Sequence, residues 1–142
     1  MDHIAVIYWS GTGNTEAMAK AIAEGVEETG AKADVFSVSD FNGSLESYSK
    51  IAFGCPAMGD EVLEETEFEP FFENVEGSLA EKTVTLFGSY GWGDGQWMRD
   101  WVERVRPICK LLYGEGLMAN NEPDANALKQ CRELGKAFAE LS

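Results

Sequence analysis

Apolar and polar positions alternate along the chain between two patterns, short apolar runs and longer stretches with helical spacing. The apolar runs predict strands at residues 4–8, 33–38, 51–55 and 83–88, with a fifth between Cys109 and Asn120. Helical spacing follows the first strand up to Gly30, recurs at residues 68–75, begins again near Gly95 and returns at residues 124–141. Strands and helices are therefore predicted to alternate along the whole chain.

The C-terminal stretch is the clearest helical pattern. Its apolar side chains form one stripe, made of Leu128, Cys131, Leu134, Phe138 and Leu141, so we expect Cys131 to lie in the core. Apolar strands separated by amphipathic helices predict a parallel sheet covered by helices on both faces. Residues 1–142 should form a single α/β domain of this kind, with its functional loops at the carboxyl ends of the strands.

The loop after the first strand is rich in hydroxyl groups and glycine. It reads Trp9-Ser10-Gly11-Thr12-Gly13-Asn14-Thr15. A strand, a loop of small residues and a helix N-terminus direct backbone N–H groups and the positive end of a helix dipole at one point, where a phosphate can bind. Residues 9–19 contain no Lys or Arg, so the lysine of a nucleotide triphosphatase loop is missing. The pattern favours one phosphate monoester, although taken alone it also fits a turn that only caps the helix.

Charge and cysteine content narrow the functional class. The chain carries 25 acidic and 11 basic side chains, a net charge of −14, which argues against binding to nucleic acid or an anionic membrane. The 3 cysteines lack CxxC spacing, which predicts reduced thiols rather than a zinc site or a disulfide framework. Because the sequence shows neither a basic leader nor an apolar run of membrane length, we expect a cytoplasmic protein.

Two further loops place large apolar side chains beside glycine at predicted strand ends. They read Pro56-Ala57-Met58-Gly59-Asp60-Glu61 and Ser89-Tyr90-Gly91-Trp92-Gly93-Asp94-Gly95. The thioether of Met58 and the indole of Trp92 could enclose a flat aromatic ligand, although either side chain alone could instead cover the core. Beside a phosphate-binding loop, the pair favours a ligand with one phosphate and one flat ring system. Flavin mononucleotide (FMN) has this chemistry.

These motifs, in this order, resemble those of the short-chain, clostridial-type flavodoxins. The matching segments are residues 10–15, 54–61 and 88–95, and the similarity extends over nearly the whole chain. The resemblance implies a doubly wound, three-layer fold with a five-stranded parallel sheet in the order 2-1-3-4-5, and flavodoxin is itself the familiar example of ligand binding at the switch point of such a sheet. It also implies bound FMN and a one-electron carrier that does not turn over a substrate of its own.

The same resemblance assigns roles to the loop residues. The phosphate would be held by Ser10, Thr12, Asn14, Thr15 and Ser89. Met58 and Trp92 would flank the isoalloxazine ring. Glu61 would accept a hydrogen bond from flavin N3–H, the Gly59 carbonyl would face N5, and Asn121 is expected at the ring edge. The predicted cofactor site is completed by other residues of the three loops: Trp9, Gly11, Gly13, Pro56, Ala57, Asp60, Tyr90, Gly91, Gly93 and Asp94.

Acidic residues and one turn are expected to set the redox properties. Residues 60–76 contain 8 acids and no base. A carboxylate about 10 Å away costs a reduced, anionic flavin roughly 0.8 kcal/mol at an effective dielectric of about 40, or about 35 mV of potential, so several of them predict a low-potential carrier. Gly59 permits a type II′ turn, whose carbonyl would stabilise the neutral semiquinone of the flavin.

Partners and competing functions follow from the same features. The acidic surface predicts partners that are redox proteins with basic docking patches, such as reductases, oxidoreductases and hydrogenase-type systems, which a monomeric carrier would visit in turn.

Two competing functions share this architecture. A quinone reductase would need longer loops, and the purified protein would oxidise NADH or NADPH without a partner. A receiver module without a cofactor would not be yellow. A low-molecular-weight phosphatase is excluded, because its Cys-x5-Arg motif counted from Cys55 would require arginine where Glu61 stands.

The sequence leaves the fifth strand undefined. Helical spacing continues past Pro107 to Leu112, whereas Gly114 and Gly116 interrupt any strand that continues to residues 117–119. The segment between residues 104 and 124 is too short for the insertion that long-chain flavodoxins carry in this strand. A split edge strand would leave the three predicted flavin loops unaffected.

Overall fold

Strands and helices alternate in the computed structural model, which describes residues 3–41, 44–58, 62–91 and 93–141. The strands are β1 (His3–Tyr8), β2 (Lys32–Ser37), β3 (Lys50–Gly54), β4 (Thr83–Tyr90), β5 (Lys110–Leu111) and β6 (Leu117–Asn120). The helices are α1 (Asn14–Glu28), α2 (Phe68–Glu76), α3 (Gln96–Val105) and α4 (Ala125–Glu140). A short 3-10 helix at Leu45–Ser47, which the sequence pattern does not predict, precedes β3.

The strands form one parallel sheet in the predicted order. From one edge the order is β2-β1-β3-β4, and β5 and β6 share the fifth position because they pair with opposite ends of β4. Between these two pieces the chain passes through left-handed conformations at Tyr113 (φ 55°) and Gly116 (φ 78°). The left-handed φ favours glycine at position 116, and a Cβ there would also require the side chain of Met98 to shift. The fifth strand is therefore split.

The sheet carries a separate apolar layer on each face. Ile4 and Val6 point toward α1 and α4, whereas Ala5 and Ile7 pack with α2 and α3, as the period of two in a strand requires. Cys131 lies fully buried in the first layer, as predicted, and burial raises the pKa of its thiol to about 12. Within the described ranges, no helix has the length and apolar character needed to cross a bilayer.

Helices α1 and α4 cross with their backbones in direct contact. A Cβ built on Gly25 would lie 1.9 Å from the carbonyl oxygen of Arg132, and one built on Gly135 would lie 2.0 Å from the carbonyl oxygen of Ile22. Neither glycine has a left-handed conformation, so the close approach alone explains the missing side chains. This crossing fixes α1, whose N-terminus lies at the carboxyl edge of the sheet.

Candidate functional site

Three loops converge at the carboxyl edge of the sheet. The N–H of Trp9 donates to the carbonyl of Gly54 (3.0 Å), which joins the loop after β1 to the end of β3. The N–H of Ala57 donates to the carbonyl of Ser89 (3.0 Å), which joins the loop after β3 to the end of β4. The backbone ladder thus continues beyond the strands and holds the loops side by side.

A cavity of about 260 Å³ lies between these loops. The described residues that line it are Trp9, Ser10, Gly11, Thr12, Asn14, Thr15, Pro56, Ala57, Met58, Ser89, Tyr90, Gly91 and Asn121. The sequence assigned each of them to the cofactor site, and none carries a charged side chain. The predicted site residues Gly59, Asp60, Glu61 and Trp92 lie outside the described residues. The structure therefore brings the three predicted loops together around one cavity, whose described lining residues are all uncharged.

The predicted residues Gly13, Gly93 and Asp94 do not line this cavity. Gly13 is the N-cap of α1 and has the left-handed φ of 96°. Asp94 accepts hydrogen bonds from Arg99 at its carboxylate (2.8 Å) and its backbone carbonyl (3.0 Å), and Gly93 next to it has φ 87°. These residues shape the loops, and their predicted contacts with a cofactor stay predictions.

Ser10 organises the first loop through its hydroxyl oxygen. This oxygen accepts from the N–H of Gly13 (3.0 Å) and from the N–H of Glu16 in the first turn of α1 (3.3 Å). Because two donors already occupy the oxygen, the hydroxyl proton of Ser10 is the group left for a ligand, and it can only donate. An anion is the ligand that such a donor suits.

Backbone donors accumulate in the same loop. Gly11, Thr12, Asn14 and Thr15 all line the cavity, and none of their N–H groups has an acceptor among the described residues. These donors surround the N-terminus of α1, where the helix dipole adds positive potential. Several unsatisfied donors beside a helix N-terminus, with no Lys, Arg or His among the described residues that line the cavity, fit one phosphate group held by neutral dipoles.

A buried hydroxyl pair connects the first loop to the end of β4. The Oγ1 atom of Thr15 lies 3.0 Å from the Oγ atom of Ser89, and the N–H of Ser89 also donates to Thr15 Oγ1 (3.4 Å). The two residues are only 1% and 5% exposed. The pair therefore fixes the positions of two side chains that the sequence placed at the phosphate, although the contact between them was not predicted.

Met58 lies at the base of a tight loop. Its N–H donates to the carbonyl of Val62 (2.9 Å), and the N–H of Val62 donates to the carbonyl of Met58 (3.0 Å). This antiparallel bridge brings the outgoing and returning arms of the loop together. Met58 also lines the cavity, as expected for a side chain that contacts a ring.

Asn121 closes the cavity after β6. Its N–H donates to the carbonyl of Tyr90 (2.7 Å), and its backbone is left-handed with φ 58°. Asparagine tolerates this conformation better than most residues. Its Oδ1 atom would lie 3.4 Å from a Cβ at Gly91, so the Asn121 side chain packs beside Gly91 at the cavity.

Trp9 links the cavity to α2 through a contact that sequence reasoning missed. Its indole N–H donates to the carboxylate of Glu67 (3.0 Å), 58 positions away. The indole also covers Gly11, where a Cβ would lie 3.1 Å from the ring. Trp9 is thus held between the phosphate loop and the start of α2, and no local pattern indicates its partner.

Arg104 of α3 binds two acids of the segment at residues 60–76, a second contact that the sequence did not predict. Its guanidinium binds Glu69 (2.7 Å) and Glu76 (2.9 Å) and lies 4.9 Å above the ring of Phe72. Hydrogen bonding to Glu76, and next to Glu69, raises the pKa of Arg104, against the effect of its desolvation. The acidic segment, which has no base in sequence, therefore has one in space.

Glu64, after Glu67, Glu69 and Glu76, is a fourth acid of the segment that has defined partners in the structure. It is 5% exposed. One carboxylate oxygen accepts from the N–H groups of Glu67 and Phe68 (both 2.8 Å), and the other accepts from the N–H (3.0 Å) and hydroxyl of Thr66. Burial raises the pKa of Glu64, but these hydrogen bonds outweigh burial and leave the pKa lowered. Glu64 caps the start of α2.

This cap predicts a pH-dependent loss of stability on replacement of Glu64 by glutamine. The lowered pKa means that Glu64 contributes stability above its unfolded pKa of about 4.3, and this stability is lost as pH falls through the lower folded pKa. At pH 7 the variant should lose about 2 kcal/mol of unfolding free energy in urea, and the difference from the native protein should shrink below pH of about 4. The exposed neighbour Glu65, replaced in the same way, should change little at any pH. Parallel pH curves for the native protein and Glu64→Gln would contradict this assignment.

Together, a parallel α/β sheet and an uncharged anion-binding loop beside a partly apolar cavity define a protein that binds a phosphorylated ring cofactor. Residues 6–135 match the sequence model of the flavodoxin family. The chain is 49% identical to a flavodoxin from Clostridium beijerinckii, covering 96% of this chain and 99% of the relative, and 44% identical to one from Megasphaera elsdenii, covering 96% and 98%. The solution structure of two-electron reduced Megasphaera elsdenii flavodoxin matches with a TM-score of 0.86 at 43% identity, covering 97% of this chain and 99% of that one.

The chain belongs to the flavodoxin family, in its short-chain form. Flavodoxins bind FMN and act as electron-transfer proteins toward redox partner proteins. The resemblance seen in the three motifs is therefore confirmed over nearly the whole chain. Within the described residues, no cluster of three or more His, Cys, Asp or Glu side chains could hold a metal ion.

Proposed function

We propose that this protein is a cytoplasmic, monomeric, low-potential carrier that moves one electron at a time through bound FMN, between the neutral semiquinone and the hydroquinone. The observation that carries the proposal is the phosphate cradle, residues 10–15, because four of its N–H groups have no acceptor among the described residues and its side chains line the cavity without a charged group among the described lining residues. FMN supplies the redox chemistry when bound. The chain supplies binding, orientation and the electrostatic surroundings, and residues 1–142 act as one domain.

The residues divide into two groups in this proposal. The phosphate is held by the hydroxyls or amide of Ser10, Thr12, Asn14, Thr15 and Ser89, together with the backbone N–H groups of the loop. On the ring side of the cavity, Met58 supplies an apolar contact, and Tyr90 and Asn121 lie at the opposite loops. The sequence further assigns ring contacts to Gly59, Glu61 and Trp92, and these assignments remain part of the proposal.

The electrostatic surroundings support a low redox potential of bound FMN. Fewer unpaired acids contribute to it than the 8 acids of residues 60–76 imply. Arg104 pairs with both Glu69 and Glu76, and its single positive charge offsets one of their two negative charges. Among the described acids of the segment, Glu65, Glu67 and Glu73 remain exposed, with Glu67 accepting from the indole of Trp9, and Glu64 keeps its charge in a buried cap. Because the cradle holds the phosphate without a cation, no described positive charge at the cavity offsets these acids. Each nearby carboxylate disfavours the anionic hydroquinone by roughly 0.8 kcal/mol at about 10 Å and a dielectric of about 40.

Stepwise reduction of the FMN-loaded protein tests this function directly. We expect one FMN per chain, a rise in the long-wavelength absorption of the neutral radical on the first addition of dithionite, and its loss on further addition. Bleaching in one two-electron step would contradict the proposed couple. Steady oxidation of NADH or NADPH by the protein alone would instead favour a reductase.

The acidic surface predicts a charge-selective response to salt. Oxidation of the reduced protein by a cationic complex, such as tris(phenanthroline)cobalt(III), should slow by about tenfold or more as salt rises from low to high concentration, because steering between opposite charges is screened. Oxidation by anionic ferricyanide should accelerate under the same conditions. Stopped-flow absorbance of the flavin measures both rates.

Paired charge variants locate the surface that produces this response. Glu65→Gln and Glu73→Gln, each made as a single variant, should flatten the salt dependence of the oxidation rate with the cationic complex. Glu27 is also exposed but lies on α1, on the other face of the sheet, so Glu27→Gln is the matched control. An equal effect of all three replacements would mean that net charge, and not this face, steers the encounter.

A further inference from the structure

The connection between β3 and α2 contains an anchor that the proposed function does not use. The connection leaves β3 at Gly54 and enters α2 at Phe68, and the bridge between Met58 and Val62 joins its two arms. The outgoing arm is tied to β4 by two backbone hydrogen bonds, from Cys55 to Phe87 (3.1 Å) and from Ala57 to Ser89 (3.0 Å). The geometry at the cavity also depends on what holds the returning arm.

The returning arm is held chiefly through Glu64. Its N–H donates to the sulfur of Cys55 (3.3 Å), which joins it to the outgoing arm. Its carboxylate accepts four hydrogen bonds from Thr66, Glu67 and Phe68, although the N-cap of α2 makes no side-chain capping bond of its own. A single buried residue thus joins the loop to the first turn of a helix.

Apolar packing alone does not replace this anchor. Leu63 lies beside Glu64 and is 7% exposed, so its burial also holds the returning arm against the core. Burial is non-directional, however, and does not fix the position of the backbone along the chain. Hydrogen bonds to a buried carboxylate have defined directions and lengths. Val62 lies two positions before Glu64, and its N–H and carbonyl both bind Met58. A carboxylate that fixes Glu64 therefore also limits where the bridge to Met58 can lie.

From this arrangement we infer that Glu64 is a positioning residue for the cofactor: its buried carboxylate fixes the returning arm, and through the Met58–Val62 bridge it sets where Met58 meets the ring of FMN. The inference rests on the proposed function, because it takes the ring to lie beside Met58. It assigns Glu64 a role through geometry, distinct from the general effect of an acidic charge on the reduced flavin.

Three variants separate position from charge. Glu64→Gln keeps the size of the side chain, but one of its two donor pairs then faces an amide NH₂ group that cannot accept. Thr66→Val removes one hydroxyl donor and leaves every charge in place. Glu65→Gln removes one charge from an exposed neighbour and leaves the anchor intact.

Amide hydrogen exchange and redox titration of the FMN-loaded protein are the two measurements. Exchange at the N–H groups of Met58 and Val62 should accelerate about tenfold in Glu64→Gln and by a smaller factor in Thr66→Val, and stay unchanged in Glu65→Gln. The potential of the first one-electron step should shift in the same direction in Glu64→Gln and in the charge-neutral Thr66→Val. A merely structural cap would lower stability without moving that potential in Thr66→Val.

The possible failures can be told apart. Unchanged exchange at Met58 and Val62 in Glu64→Gln overturns the inference, as does an unshifted potential in Thr66→Val, because a shift in Glu64→Gln alone would be an effect of charge. If Glu64→Gln does not fold, Thr66→Val decides by the same criteria. If the native protein binds no FMN, the proposed function fails and the positioning role fails with it, whereas exchange in the unloaded protein still reports whether Glu64 anchors the loop.

Discussion

Replacement of Gly25 by alanine should lower the free energy of unfolding by about 3 kcal/mol or more, the upper range for overpacking a close-packed site. The added Cβ would lie 1.9 Å from the carbonyl oxygen of Arg132, far inside the contact distance of about 3.5 Å. Because this atom belongs to the backbone of α4, a rotamer change cannot relieve the clash, and one helix must move. The gain in helix propensity from glycine to alanine, about 1 kcal/mol, is too small to compensate. Urea unfolding measures the loss.

Gly77 provides the matched control for this substitution. It follows α2 with φ −69°, and nothing lies within 4 Å of a Cβ built on it. Gly77→Ala should therefore change the unfolding free energy by less than about 1 kcal/mol. Gly135→Ala should resemble Gly25→Ala, and the double variant should lose less than the sum, because one displacement of the helices relieves both clashes. Full additivity would show that the two glycines do not share a single crossing.

The sequence predicted best the features that local chemistry determines. The strand at residues 4–8 and the loop from Ser10 to Thr15 were recognised because an apolar run, small residues and a helix start follow one another directly. Loops that follow parallel strands meet at one edge of the sheet, which explains why lining residues from four separate segments, Asn121 included, were assigned together. The shared cavity confirms this grouping of the described residues.

The fifth strand shows where periodicity misleads. The spacing of Ile108, Cys109 and Leu112 is helical, yet α3 ends at Val105 and the chain continues as a turn and a two-residue strand. These side chains pack at the edges of the two apolar layers because the sheet edge lies close to the end of α3, and not because they share one helix face. Pro107 marked the helix end correctly.

Acidic residues show the other limit of the sequence. Arg104 lies 28 and 35 positions from the two carboxylates that it binds, and no spacing rule predicts such a pairing. Glu64 is different, since all four of its donors lie within four positions. A cap before a helix is a recognisable signal, but here it was hidden in a run of acids that read as one solvated face.

Riboflavin should bind this protein at least about a hundredfold more weakly than FMN, because a hydrogen bond to a charged group contributes about 1.5–3 kcal/mol and each 1.4 kcal/mol is tenfold in affinity. Without the phosphate, the free N–H groups of Gly11, Thr12, Asn14 and Thr15 would lose their anion. Isothermal titration or the quenching of flavin fluorescence gives both dissociation constants. Equal affinities would show that the loop does not bind the phosphate.

Thr15→Val assigns part of this preference to one buried hydroxyl. Thr15 is 1% exposed and its oxygen lies 3.0 Å from that of Ser89, so valine removes the group while nearly keeping its shape. Affinity for FMN should fall by about tenfold to a hundredfold, affinity for riboflavin should hardly change, and Thr15→Ser should restore the preference. Thr85→Val is the control, because Thr85 is equally buried but donates to the carbonyl of Leu112 (3.0 Å), outside the cavity. It should lower stability and leave the ratio of the two affinities intact, whereas an equal loss of both ligands in Thr15→Val would mean that the hydroxyl supports the loop and does not touch the phosphate.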